Sequence, residues 1–126
     1  MRMIKQEKQH NKTIFQKSID YLEATGFTQI KADLSGYENP KSFVKKSSGA
    51  EVTPDITANK NGRKYFFDIS LKSENPSLLK SKWLLLDTFA RLKSNRFKII
   101  TTRGHYRFTD TLLGELNLSS KDPIRI

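Results

Sequence analysis

Hydrophobic residues follow a helical period in two parts of the chain. In the first part, one helix face carries Ile14, Phe15, Ile19 and Leu22. This spacing predicts a helix over residues 12–25, which Gly26 is well placed to end. A second helix, rich in Leu, Trp and Phe, is predicted over residues 78–92, and the sequence Asn75-Pro76-Ser77 suits its entry because proline is tolerated in a first turn. A third, short helix is predicted over residues 110–116.

Alternation and turn residues predict a β-hairpin in the middle of the chain. Residues 52–58 and 64–71 are separated by a turn that contains Asn61-Gly62, the pair most typical of tight hairpins. In the second arm, Phe67 and Ile69 point to one face, while Phe66 and Asp68 point to the other. Both faces begin apolar, so this strand is expected to lie in the centre of its sheet.

The remaining segments complete an α/β pattern. Strands are predicted over residues 27–34 and 97–102, residues 35–53 are expected to form a long loop or irregular strand, and residues 106–108 are expected to extend or pair with the strand before them. The last ten residues are expected to form an edge strand or a docked tail.

This order predicts a mixed β-sheet with helices packed against it, in which residues 64–71 and 97–102 pair in parallel across a helical crossover. A length of 126 residues suits one domain, residues 1–126, with residues 1–11 flexible or frayed at the N-terminus.

Composition and charge narrow the classes of function. The chain has no cysteine, which excludes a disulfide framework, a thiolate zinc site and a cysteine nucleophile. With no long apolar run, neither a signal peptide nor a membrane span is predicted, and the composition suits a cytoplasmic protein of bacterial or phage origin. Twenty-three Lys and Arg against 13 Asp and Glu give a net charge of +10. This excess predicts a polyanionic partner, and nucleic acid fits better than a membrane because the basic residues are spread along the chain.

Two carboxylates in the predicted hairpin are the main candidates for chemistry. Asp55 follows Pro54, and Asp68 lies in an aromatic strand where a charge needs a partner. A hairpin can bring them face to face, and together with a backbone carbonyl they would offer hard oxygen ligands for Mg²⁺ or Mn²⁺. The alternative for Asp68 is a salt bridge to a lysine such as Lys72 or Lys82.

The arrangement resembles the PD-(D/E)xK phosphodiesterase superfamily. The family core runs helix, three-stranded antiparallel meander, helix and strand, with Pro-Asp on the second strand and an acidic-x-Lys motif on the third. Pro54-Asp55, the hairpin and Phe67-Asp68 follow that order. The resemblance implies a restriction-endonuclease-like core of αβββαβ order and a metal-dependent DNA endonuclease similar to junction resolvases. It also implies metal binding by Asp55, Asp68 and the backbone carbonyl of Ile69.

The chain departs from the family at the motif lysine. The position two residues after Asp68 is Ser70, which would line the site, and the nearest lysine on the same strand face is Lys72. Lys80 and Lys82, at the start of the next helix, are alternatives, because some family members supply the lysine from a neighbouring element. Asp55, Asp68, Ser70 and Lys72 are therefore the predicted catalytic residues.

Other basic residues predict a nucleic-acid surface, consisting of Lys45, Lys46, Lys80, Lys82, Arg103, His105 and Arg107. The partner is expected to be DNA rather than RNA, and family members often form homodimers. Two alternatives to the endonuclease stay open. One is a nuclease-fold protein that binds DNA or RNA through its basic surface without hydrolysis. The other is a basic protein-interaction module, whose affinity for nucleic acid would depend little on salt.

Overall fold

The protein is described here by a computed structural model, which covers residues 5–72, 75–118 and 121–126, with only the backbone described for residues 5–11. Its elements in chain order are α1 (Lys5–Ala24), β1 (Thr28–Ala32), β2 (Phe43–Lys45), β3 (Ala50–Val52), β4 (Ile56–Lys60), β5 (Arg63–Ser70), α2 (Pro76–Leu92), β6 (Arg96–Thr101), α3 (Tyr106–Glu115) and β7 (Ile124–Arg125). The described residues therefore form a mixed α/β structure with three helices. None of these helices is long and apolar enough to cross a membrane.

A five-stranded mixed sheet carries the architecture, in the order β1-β4-β5-β6-β7. β5 lies at its centre, as its two apolar faces predict. It pairs antiparallel with β4 and parallel with β6, with Phe66 opposite both Thr57 and Phe97. The predicted parallel pairing is thus confirmed, and α2 makes the connection between the two parallel strands.

Helices cover both faces of the sheet, and each face has its own hydrophobic core. On one face α1 contributes Phe15, Ile19 and Leu22, which pack with β5 residues Phe67 and Ile69. On the other face α2 and α3 pack against β5 and β6, and the buried residues include Phe66, Leu79, Trp83, Leu86, Phe97, Ile99, Leu112 and Leu113. The alternation of apolar side chains along β5 therefore feeds two cores at once.

Two predictions about the segments between the main elements need correction. The segment 35–53 is not only loop, because it holds the two-stranded β2–β3 hairpin, which turns at Gly49 with φ +74° and packs through Phe43 onto Phe66 and Phe89. Residues 106–108 do not extend the sheet. They form the first turn of α3, because the edge of β6 is already paired with β7. The last residues thus supply an edge strand, as predicted.

The N-terminal helix is longer than its apolar period indicates. α1 begins at Lys5, seven positions before the predicted start at residue 12, so residues 5–11 continue the helix in the described backbone. Residues 1–4, also predicted to be frayed, lie outside the described residues.

The turn between β4 and β5 depends on two residues in the left-handed region. Asn61 has φ +54° and Gly62 has φ +75°, which is the conformation of a two-residue type I′ turn. We expect Gly62→Ala to lower the free energy of unfolding by about 1 kcal/mol, because a Cβ disfavours this φ although no atom lies close enough to clash. Urea unfolding measures the loss. Gly114→Ala within α3 is the control, and it should be neutral or stabilising. Equal effects at both positions would contradict the role of the turn.

Candidate active site

The register of the β4–β5 hairpin brings Asp55 and Asp68 together. Ile56, the first residue of β4, lies opposite Phe67, so the preceding residue Asp55 faces Asp68. The side chain of Asp55 also contacts β5 directly, because its Oδ2 accepts a hydrogen bond of 2.9 Å from the backbone N–H of Ile69. The tight Asn-Gly turn fixes this register, which makes the pairing of the two carboxylates a consequence of the local sequence.

Lys82 of α2 joins the two carboxylates. Its Nζ lies 2.8 Å from Asp68 Oδ1 and 3.3 Å from Asp55 Oδ1. The side chains of Lys82, Asp68 and Asp55 are 9%, 1% and 18% exposed, so the ammonium and both carboxylates are largely removed from water. We call these three residues the charged triad. A buried charge is tolerated when opposite charges surround it, and here one ammonium serves two carboxylates.

Trp83, the next residue of α2, holds the other oxygen of Asp68. Its indole Nε1–H donates a hydrogen bond of 2.8 Å to Asp68 Oδ2, and both side chains are fully buried. Asp68 Oδ1 lies 2.8 Å from the Lys82 ammonium, which is the charged partner of this oxygen. One oxygen of Asp68 is thus held by Trp83 in the core, and the other is held by the ammonium of Lys82.

The charge of the triad is unbalanced. Burial and then the negative charge of Asp55 raise the pKa of the Asp68 carboxyl, the ammonium of Lys82 opposes both, and the resulting pKa is about 7. Burial would lower the pKa of Lys82, but the charges of Asp68 and then Asp55 outweigh it, so the pKa of Lys82 lies above its ordinary value. Near neutral pH Lys82 is therefore a cation, and Asp68 can hold or release a proton.

The raised pKa of Asp68 predicts how stability depends on pH. Between about pH 4 and pH 7 the folded protein holds this proton while the unfolded chain has lost it, so the stabilisation is fully present below about pH 4 and is lost as the pH rises through 7. Relative to Asp68→Asn, the free energy of unfolding of the wild type should fall by on the order of 2 kcal/mol between pH 5 and pH 8. Urea unfolding of both proteins at the two pH values measures this. Parallel pH profiles would contradict it.

The donor set of the triad fits a hard divalent cation. Asp55 and Asp68 offer carboxylate oxygens, and each such oxygen has lone pairs for a second partner beside the Lys82 ammonium. The N–H and C=O of one strand residue point toward the same neighbouring strand, so the Ile69 carbonyl is directed to the side of β5 on which Asp55 lies. The described residues contain no cluster of three or more His, Cys, Asp or Glu side chains that could hold a metal. Mg²⁺ here would thus depend on water and substrate phosphate for its other ligands, which is its common mode of binding.

Ser70, Lys72 and Lys80 do not contact the two carboxylates. Ser70 is fully buried, and its hydroxyl lies 2.7 Å from Thr109 Oγ1 under α3. Lys72 is exposed, and its backbone N–H donates to His105 Nδ1 at 2.8 Å. Lys80 pairs with Glu115 of α3 at 2.5 Å. Of the lysines that the sequence nominates, the structure brings only Lys82 to Asp55 and Asp68.

The other predicted nucleic-acid residues lie in two places. Lys45 and Lys46 are exposed on the β2–β3 hairpin and its turn. Arg103 is exposed in the turn after β6, His105 is half-buried just before α3, and Arg107 is exposed in the first turn of α3. His105 therefore joins the ends of β5 and β6 through its contact with Lys72.

Sequence reasoning misses two features of the site. Trp83 is assigned to the hydrophobic core, which it does occupy, but its hydrogen bond to Asp68 is not anticipated. The helical period places Trp83 on the buried face of α2, and a buried indole N–H usually finds a hydrogen-bond partner. That expectation is the signal from which the contact with the buried carboxylate could have been found. The hydroxyl group of Thr109, which lies 2.9 Å from Thr101 Oγ1 as well as near Ser70, has no such signal.

Comparisons with models of protein families, with curated proteins and with solved structures found no match.

Proposed function

We propose that the protein is a metal-dependent DNA endonuclease of the PD-(D/E)xK type, similar to junction resolvases, which hydrolyses phosphodiester bonds. The observation that carries the proposal is the position of Lys82 Nζ, within 3.3 Å of one carboxylate oxygen of each aspartate. A lysine beside two acidic residues is what the family motif requires, and here Lys82 on α2 would take the place of the lysine that Ser70 replaces.

The order and pairing of elements support the proposed family fold. β1, β4 and β5 form an antiparallel meander, α2 follows, and β6 pairs parallel with β5. With α1 in front, this order supports a restriction-endonuclease-like core, whose elements would run αβββαβ. The β2–β3 hairpin is then an insertion between the first two strands of the meander.

Each residue of the triad has a distinct role in this mechanism. Asp55 and Asp68 would hold Mg²⁺ or Mn²⁺, which when bound would stabilise charge on the phosphate oxygens and help to ionise the attacking water. The raised pKa of Lys82 keeps its side chain positively charged at neutral pH, so it would act as a hydrogen-bond donor to the phosphate rather than as a base. Trp83 would keep the Asp68 carboxylate in one orientation through Oδ2.

A second function has its own supporting observation. The Lys82 ammonium already neutralises part of the charge of both carboxylates, so the triad can be a stable structural ion pair without any metal. In that case the protein would be a nuclease-fold module that binds DNA or RNA through its net charge of +10 and does not cleave it.

Incubation with nucleic acid distinguishes the two functions. Purified protein is incubated with supercoiled plasmid, single-stranded DNA and a four-way junction, in Mg²⁺, Mn²⁺ or EDTA. An Asp68→Asn preparation made in the same way excludes a contaminating nuclease. Cleavage that requires metal and is absent from the variant supports the endonuclease. Salt-sensitive binding without cleavage in either metal supports the binding module instead and contradicts the endonuclease.

A further inference from the structure

Four lysines from separate parts of the chain interact electrostatically around Lys64, which lies on the face of the sheet that α2 covers. They are Lys31 of β1, Lys41 just before β2, Lys64 of β5 and Lys93 just after α2, and we call them the lysine cluster. Lys31 lies opposite Thr57, which in turn lies opposite Phe66, so the side chains of all three point to the same face of the sheet. Lys64 lies two residues before Phe66 in β5 and therefore points to that face as well.

Two aromatic rings form the floor of the lysine cluster. Lys64 Nζ lies 5.9 Å from the ring centroid of Phe66, and Lys93 Nζ lies 5.4 Å from that of Phe43. The two rings are themselves packed with centroids 4.9 Å apart. Cation–π contacts of this kind hold the ammonium groups near one another and limit their freedom to move away.

The positive charge of the lysine cluster is poorly compensated. Among the described residues, the only carboxylate that pairs with it is Glu38, which lies 3.6 Å from Lys31 and is itself 82% exposed. Partial burial, together with the charges of Lys31, Lys41 and Lys93, lowers the pKa of Lys64. An anion bound at this surface would relieve the repulsion, and a polymer with regularly spaced charges could contact several of the ammonium groups at once.

The structure assigns to the lysine cluster a second contact with nucleic acid, in which it binds phosphates away from those at the charged triad. This inference rests on the proposed function, which makes the partner a nucleic acid. Lys64 and Asp68 lie four residues apart on the same face of β5, which is roughly 13 Å along the strand. That span corresponds to about four nucleotide steps of a duplex. Because Phe66 is buried under α2 between the two places, a strand with one phosphate at the triad would pass around α2 to place phosphates a few nucleotides away at the lysine cluster.

Binding of a fluorescent DNA duplex, measured by anisotropy in EDTA across about 50 to 200 mM salt, tests the inference. The cluster variant combines Lys64→Gln with Lys93→Gln. The control variant combines Lys12→Gln with Lys17→Gln, two exposed residues of α1 on the opposite face of the sheet, and removes the same charge. We expect the salt slope of the cluster variant to fall by about 2, one for each lysine. Over this salt range the wild type should then lose about tenfold more affinity than the cluster variant does.

Equal changes in the two double variants would overturn the inference, because net charge alone would then explain binding. Polyglutamate that competes as well as unlabelled DNA would also overturn it, because the lysine cluster would then not select nucleic acid. The cleavage assay keeps the two proposals apart. Metal-dependent cleavage, together with equal salt slopes in the cluster and control variants, would support the endonuclease and contradict nucleic-acid binding by the lysine cluster. A smaller salt slope in the cluster variant alone, without cleavage by the wild type, would support nucleic-acid binding by the lysine cluster and contradict the endonuclease.

Discussion

Lys82→Met is expected to reduce metal-dependent cleavage by roughly 10²–10³-fold, the cost of removing one preorganised donor from a developing charge. Lys82 is the lysine whose Nζ contacts both carboxylates, whereas Lys80 pairs with Glu115. Methionine has a similar length and apolar stem, so it keeps most of the packing of α2. Initial rates of plasmid nicking in Mg²⁺ measure the effect.

Lys72→Met and Lys80→Met are the matched controls for Lys82, since each removes one positive charge near the same end of the sheet. Both should keep cleavage within a few-fold of the wild type. Breaking the buried ion pairs of Lys82 should also lower the free energy of unfolding by about 3 kcal/mol, so assays are run at a temperature where urea unfolding shows the variant to be folded. A folded Lys82→Met protein that cleaves at the wild-type rate would make Lys82 a structural counter-ion only. A large loss in Lys72→Met would restore the strand lysine as the catalytic one.

Asp68→Asn is expected to reduce metal-dependent cleavage by roughly 10²–10³-fold or more without unfolding the protein. Asparagine has nearly the shape of the aspartate and keeps an oxygen that can accept the hydrogen bond from Trp83. It removes the buried negative charge, which burial and Asp55 make unfavourable above pH 7. At pH 8 the variant should therefore be at least as stable as the wild type, because the buried charge of Asp68 costs stability.

Plasmid nicking and urea unfolding on the same samples at pH 8 test both halves of this prediction. Asp87→Asn is a suitable control. Asp87 is a buried carboxylate like Asp68, but it lies in α2 and pairs with Lys121 at 3.1 Å and not with the triad. Asp87→Asn should lower the free energy of unfolding, because Arg91 and Lys121 both lose their negative partner. As long as this variant is folded, it should cleave at the wild-type rate. Loss of stability together with activity in Asp68→Asn would mean that Asp68 is held for structure and not for chemistry.

The sequence by itself determined the features that depend on neighbouring residues. The period of Phe15, Ile19 and Leu22 defines the buried face of α1, and the two apolar faces of β5 place that strand in the sheet centre. The Asn61-Gly62 turn fixes the hairpin register because both residues adopt positive φ, and that register brings Asp55 opposite Asp68. Side-chain alternation and turn geometry are local properties, so short segments suffice to predict them.

The tertiary structure decided which lysine completes the triad. The sequence favours Lys72 as the catalytic lysine, with Lys80 and Lys82 as alternatives, but the docking of α2 turns Lys82 inward and directs Lys80 to Glu115. The packing of α3 in turn covers Ser70, whose hydroxyl contacts Thr109. The lysine cluster is a further case, because its four members come from four separate parts of the chain whose positions depend on packing against the sheet. Contacts of this kind depend on how distant elements pack, and hydrophobic periodicity specifies the buried face of a helix without specifying its neighbours.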